Sequence, residues 1–150
     1  MTFLPIAINI EGKKILIIGG GKVAFQKANI LSLYTRNITF LALEFIPEIQ
    51  THFSDCVFLK RAYKKCYLKK FFLVYACTND NTLNQQIAAD AKKLSILVNV
   101  CDSPEFCDFI SPAIYKKKNV SIAVTTNGTS AKQSVFLRNT IKEFLENAGF

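Results

Sequence analysis

The chain has no apolar run approaching the roughly 20 residues of a membrane-spanning helix. Its first residues, Met1-Thr2-Phe3-Leu4-Pro5, have neither the charged start nor the long apolar centre of a secretion signal. The expectation is a cytoplasmic protein with no membrane partner. Histidine is scarce, His52 being the only one, and none of the five cysteines (Cys56, Cys66, Cys77, Cys101 and Cys107) forms a C-x-x-C pair. An odd number of cysteines without a secretion signal reads as reduced thiols, several of them filling the core on strands. Cys101, Asp102, Cys107 and Asp108 cluster in sequence, but with His52 far away ordinary packing is the better reading and no metal is expected. Acidic residues are also short, 11 against 19 Lys and Arg, for a net charge of +8. That balance suits nucleic acid, a membrane surface or a polyanionic small molecule. The cluster Lys116-Lys117-Lys118 reads as an exposed turn without the interleaved stacking aromatics of a single-strand binder, so nucleic acid is not an expected partner.

What is present is a hydrophobic half of 150 residues, enough to bury a core without staples. The chain is organised around Ile15-Leu16-Ile17-Ile18-Gly19-Gly20-Gly21-Lys22-Val23-Ala24. The four leading residues predict a strand buried on both faces, and the glycines predict a tight turn. A helix follows, with Ala24, Ala28 and Leu31 on one stripe and Lys27 elsewhere. A glycine turn feeding a helix presents unpaired N–H groups and a positive dipole end to an anion. The spacing Gly19-x-Gly21-x-x-Ala24 is the dinucleotide fingerprint in its Ala-ended form. Glu44, after a second strand at Ile38-Thr39-Phe40-Leu41, stands where an acid accepts hydrogen bonds from an adenosine ribose. The bland alternative is a tight strand-to-helix turn and nothing more.

Phe3 to Ile10 is expected to lie along the first domain. Pro47 opens a short helix over 48–53, Cys56 to Leu59 forms a third strand, and a brief helix falls around 64–69. Phe71 to Cys77 is a fourth apolar run, ending at the cap and turn formers Thr78-Asn79-Asp80-Asn81. A helix with Leu83, Ile87, Ala91 and Leu94 on one stripe leads to a fifth strand at 96–100. Alternating buried strands and helices call for parallel pairing with right-handed crossovers, a doubly wound α/β sheet of the Rossmann type. Beyond residue 108 the pattern changes to two strands, 109–115 and 120–125, and a helix over 130–148. The helix face includes Leu137, Ile141, Phe144, Leu145 and Ala148, with Gly149 placed to cap it. The expected division is therefore 1–108 for nucleotide binding and 109–150 for a segment too small to bury that face alone.

Ligands of doubly wound sheets sit at the carboxyl ends of the strands. That edge carries Gly19 to Gly21, Glu44, Thr78-Asn79-Asp80 and Cys101-Asp102. Asp102 is the acid nearest the reacting end of a bound dinucleotide, where a carboxylate takes or holds a proton. It is equally readable as part of a turn, with Ser103 capping and Pro104 opening a helical turn. Thr125 to Ser130 is a hydroxyl-rich loop that either binds carboxylates through its N–H groups or serves as an N-cap.

Leu4-Pro5-Ile6, the glycine segment with Lys27, Ala76-Cys77-Thr78-Asn79-Asp80 with Asn84, and Asn99-Val100-Cys101-Asp102 with Cys107-Asp108-Phe109-Ile110 and Pro112-Ala113 resemble precorrin-2 dehydrogenase, the NAD-dependent module of sirohaem synthase. The similarity is collinear over nearly the whole chain. It implies oxidation of precorrin-2 to sirohydrochlorin with NAD⁺ accepting the hydride, and in some relatives insertion of Fe²⁺ into the product. It places Lys22, Val23, Leu43 and Glu44 against the dinucleotide, together with Gly19, Gly21, Thr78 and Asn79, and gives Asp102 the proton handling. Asn99, Thr126, Gly128 and Ser130 become candidates for the tetrapyrrole, whose carboxylates give the basic composition a use. Residues 109–150 become a dimerisation segment of a homodimer. The chain departs from the family at Asn79, Asn127 and Ala131. Many relatives continue into a further helical region, so part of the tetrapyrrole pocket is expected to be either missing or supplied by a partner. A non-catalytic NAD-binding redox sensor acting through a partner, and an oxidoreductase for another substrate, are the competing readings; Asp102 separates the sensor, which needs no acid there.

Overall fold

A computed structural model describes residues 1–101 and 103–150, and Asp102 lies outside the described residues. The chain forms two compact units, one of residues 8–109 and one of residues 1–7 with 110–150.

The first unit is a five-stranded parallel sheet of β1 (Ile15–Ile18), β2 (Ile38–Ala42), β3 (Val57–Lys60), β4 (Leu73–Ala76) and β5 (Leu97–Val100), in the order β3-β2-β1-β4-β5. The order reverses between β1 and β4, which is where the carboxyl ends open a crevice. Alternate side chains divide the core into two faces. Ile15, Ile17, Phe40 and Tyr75 pack with Ala24, Ala28 and Leu31 of α1 (Lys22–Leu31) and with Ile49 of α2 (Pro47–His52). Leu16, Ile18, Val74 and Val98 pack with Ile87, Ala88 and Ala91 of α3 (Asn81–Lys93). Strand β1 is completely buried, as its uninterrupted apolar run requires. The brief helix expected around 64–69 is a 3-10 helix, Lys65–Lys70, held by the buried Leu68.

Strand β5 is a sheet edge, and the chain returns along it. Val98 N donates to Asp108 Oδ2 at 3.1 Å, Asp108 N to Val98 O at 2.9 Å, and Asn99 Nδ2 to Phe109 O at 2.9 Å. The Phe109 ring meets Tyr75 edge-on at 5.4 Å. These contacts cover the exposed edge. They also correct the expected sixth strand at 109–115: Phe109 is tied to the sheet, and pairing starts only after Pro112, at β6 (Ala113–Lys117).

In the second unit β6 pairs antiparallel with β7 (Val120–Val124), and both pack against α4 (Ala131–Asn147). The lysine turn has Lys118 at φ +53°. Ser130 caps α4 by accepting from Gln133 N, and Gly149 at φ +81° closes it: Phe150 N reaches Leu145 O and Gly149 N reaches Glu146 O, a Schellman motif. The expected apolar stripe splits. Ile141 and Leu145 are half-buried, whereas Leu137, Phe144 and Ala148 face out. The first seven residues, expected along the nucleotide domain, belong to this second unit, where Phe3 N donates to Asn127 Oδ1 at 3.2 Å.

Candidate functional site: a cleft at the sheet's switch point

The three glycines after β1 do three different jobs. Gly19 has φ +133°, and a Cβ there would stand 2.3 Å from the Cys77 carbonyl oxygen. Gly20 lies under the loop after β2, where a Cβ would meet the Glu44 carbonyl oxygen at 1.8 Å; its own carbonyl accepts from Ile46 N at 2.8 Å. Both are glycine because the chain crosses itself there. Gly21 is different. Its φ of −100° suits any residue, and a Cβ would meet nothing within 4 Å. It is the N-cap of α1 yet supplies no side-chain cap, and the first turn carries no acid. The helix start thus points bare N–H groups and the positive dipole end into open space.

That space is a cavity of about 340 Å³. The glycine turn forms one wall and Leu41 to Leu43, at the end of β2, another. Arg61 and Tyr63 close it beyond β3, and Cys77, Thr78 and Asn79 beyond β4. The Thr78 loop is clamped by the buried Asn84. Its Oδ1 accepts from Thr78 N at 3.2 Å and Oγ1 at 2.7 Å, and its Nδ2 donates to Thr78 O at 3.0 Å. Asp80 accepts from Leu83 N at 3.0 Å and so caps α3. Tyr63 donates to Asp90 at 3.1 Å; burial and then the Asp90 charge push its hydroxyl well above the ordinary tyrosine range, so it stays protonated.

The pattern is that of a nucleotide site, and comparison with known proteins agrees. Residues 6–113 match the family model described as "Putative NAD(P)-binding". The chain belongs to that family. It is similar to the siroheme synthase of Psychrobacter cryohalolentis, 40% identical over 140 residues, which are 92% of this chain and 27% of that protein. It is similar as well to the siroheme synthase of Photorhabdus laumondii, 32% identical over 150 residues, 99% of this chain and 32% of that protein. The chain thus spans about a third or less of the length of these curated relatives. Among solved structures it resembles SirC, precorrin-2 dehydrogenase, with a TM-score of 0.75 at 21% identity, over 97% of this chain and 70% of that one. That likeness is one of fold, a Rossmann-like sheet followed by a strand pair and helix.

Of the residues expected to serve this NAD(P)-binding unit, Gly19, Gly21, Leu43, Thr78 and Asn79 line the cleft. Lys22 is exposed in the first turn of α1, Val23 packs partly on the core, and the Glu44 side chain is exposed on the loop over Gly20. Asn99 is buried with its amide committed to Phe109. Thr126, Gly128 and Ser130 lie in the second unit. There the Thr126 hydroxyl donates to Ser130 O at 2.9 Å and accepts from Ser130 N at 3.1 Å, so the loop's hydroxyls are engaged as a cap. Asp102, the expected catalytic acid, is outside the described residues. Sequence reasoning named Gly20 and Asn84 without giving either a role of its own, and gave none to Arg61 and Tyr63; the signal available for Gly20 was a third glycine where the fingerprint asks for none.

Proposed function

We propose that this chain oxidises precorrin-2 to sirohydrochlorin with NAD⁺. The supporting observation is Gly21: it is free of any demand from its own fold, and it opens the uncapped start of α1 at the topological switch point. A pyrophosphate fits there, where a Cβ would fill the approach. When bound, NAD⁺ supplies the hydride acceptor. The backbone of Gly21 and the first α1 amides hold its phosphates, Leu43 and Thr78 wall its flanks, and Asn84 keeps the Thr78 loop in place. Glu44 accepts from the ribose hydroxyls and disfavours a 2′-phosphate, so NAD⁺ is preferred to NADP⁺. Asp102 takes the proton that leaves the ring and steadies the cation left by hydride loss. The net charge of +8 favours a substrate carrying many carboxylates. Two copies join through residues 109–150, since α4 leaves Phe136 and Phe144 uncovered.

The purified chain mixed with precorrin-2 and NAD⁺ is expected to release NADH and sirohydrochlorin in equal amounts. NAD⁺ binding without turnover overturns the enzymatic reading in favour of a sensing module. Asp102→Asn keeps the shape and removes the base, so NAD⁺ affinity should hold while turnover falls about a hundredfold. Asparagine forms a turn as well as aspartate does, so a fully active variant would reduce Asp102 to a turn former.

A further inference from the structure

The carboxyl edge of the sheet holds two thiols for which the proposed dehydrogenation has no use. Cys77 follows β4 and Cys101 follows β5 directly; the register Ala76↔Val100 makes them neighbours, and Cys101 N donates to Ala76 O at 2.9 Å. Their sulfur atoms lie 2.7 Å apart. Adjacent strands are spaced about 4.8 Å apart, inside the roughly 4.4–6.8 Å between Cα atoms that a disulfide spans. Both side chains belong to the α1 face of the sheet, Cys77 buried and Cys101 half-buried. Cys107 packs on the opposite face, where its sulfur accepts from Val100 N at 3.1 Å and its thiol donates to Val100 O at 3.3 Å. Burial pushes that third thiol up, away from the reactive thiolate form.

We propose that Cys77 and Cys101 are an oxidisable pair that a peroxide converts to a disulfide, reversibly, at the wall of the dinucleotide cleft. Cys101, the more accessible, loses its proton and attacks the peroxide; the O–O bond breaks, leaving a sulfenic acid and one water. The Cys77 sulfur then attacks that sulfenic sulfur, the S–S bond forms, and a second water leaves with the Cys77 proton. Two thiols lose two electrons and two protons, and one peroxide becomes two waters. A dithiol reductant reverses the step. Cys77 lines the cleft, and its carbonyl packs against Gly19 of the phosphate turn. On the cofactor reading, which only this coupling requires, bound NAD⁺ packs over Cys77 and hinders its closure onto Cys101.

The test is peroxide treatment of the intact chain followed by trypsin and a protease cutting after glutamate. Trypsin alone leaves Cys101 and Cys107 together in residues 94–116; cleavage after Glu105 separates them. The expected product links peptide 71–92, with Cys77, to peptide 94–105, with Cys101, and is lost in Cys101→Ser and on reduction. A link to Cys107, or sulfinic acids without a link, overturns the proposal. NAD⁺ at ten times its separately measured Kd should slow the reaction about tenfold, because only about one site in eleven stays empty. An unchanged rate at that measured occupancy removes the coupling, whereas failure of NAD⁺ to bind in calorimetry counts against the cofactor reading and leaves the disulfide result standing.

Discussion

Helix α1 turns Ala24, Ala28 and Leu31 onto the sheet and buries all three, and α3 does the same with Asn84, Ile87, Ala88 and Ala91. The 17-residue α4 has only Ser134 fully buried, while Val135, Phe136, Leu137 and Phe144 stay exposed, Phe144 at 71%. The helices are alike in amphipathic pattern, and what differs is the surface available to them. A five-stranded parallel sheet offers two wide faces; a two-stranded hairpin offers one narrow strip, which covers the line Ser134, Arg138, Ile141 and Leu145 and leaves the neighbouring Leu137 and Phe144 exposed. The sheet unit therefore closes on itself and builds a ligand cleft. The hairpin unit leaves a face for something else to cover.

The largest expected effect breaks the sheet unit from within. Gly20→Ala puts a methyl group 1.8 Å from the Glu44 carbonyl oxygen, a backbone atom that cannot turn away, so the loop over the glycine turn must move. Denaturant unfolding should show a loss of about 3 kcal/mol. Gly21→Asp, one residue on, should spare the fold: the Cβ meets nothing, and aspartate is a better N-cap than glycine. NAD⁺ affinity should nevertheless fall about a hundredfold or more, because the new carboxylate faces the pyrophosphate. Calorimetry and melting curves on both variants check the pair of outcomes. Equal loss of stability at the two positions would mean that the glycines are all structural.

Much of the sheet unit was legible because β1 and β4, buried along their whole length, carry no alternation to misread, and a glycine run marks the end of the first and Thr78-Asn79-Asp80-Asn81 follows the second. The role of Gly20 was not legible, since its obstacle is a carbonyl 24 residues away that only the folded loop brings near. Asn99 has a structural task that was not legible for a similar reason: its buried amide ties the returning chain to a sheet edge through Phe109, ten residues on. Helical periodicity in α4 identified the apolar positions, but Leu137 and Phe144 lie just off the line through Ser134, Ile141 and Leu145 that meets the hairpin. Periodicity names a stripe and not the width of its partner.

Phe144→Glu probes the uncovered face. If two copies bury Phe144 in part, its loss from the interface forfeits at least about 2 kcal/mol over the two copies together, and dimer dissociation should be at least about thirtyfold easier. Light scattering across a dilution series reads this directly. A wild-type chain that is monomeric at micromolar concentration rejects the homodimer, and a dimer indifferent to Phe144→Glu moves the interface off this face. NAD⁺ binding, a property of the other unit, should not change in the variant.

The smallest effect tests whether the units unfold together. Asp80 and Ser130 each cap a helix by accepting from the N–H three residues on, at 3.0 Å and 3.2 Å. Alanine at either cap costs about 1 kcal/mol locally. Helix α3 cannot open without exposing Ile87, Ala88 and Ala91, so the Asp80→Ala cost should appear in global unfolding. Helix α4 has little core to expose, so the Ser130→Ala cost should appear as faster hydrogen exchange in the first turns of α4, with the main melting transition unmoved. A main transition lowered equally by both variants would show the two units to be one cooperative body, and the contrast between a closed sheet unit and an open hairpin unit would then describe surfaces and not stabilities.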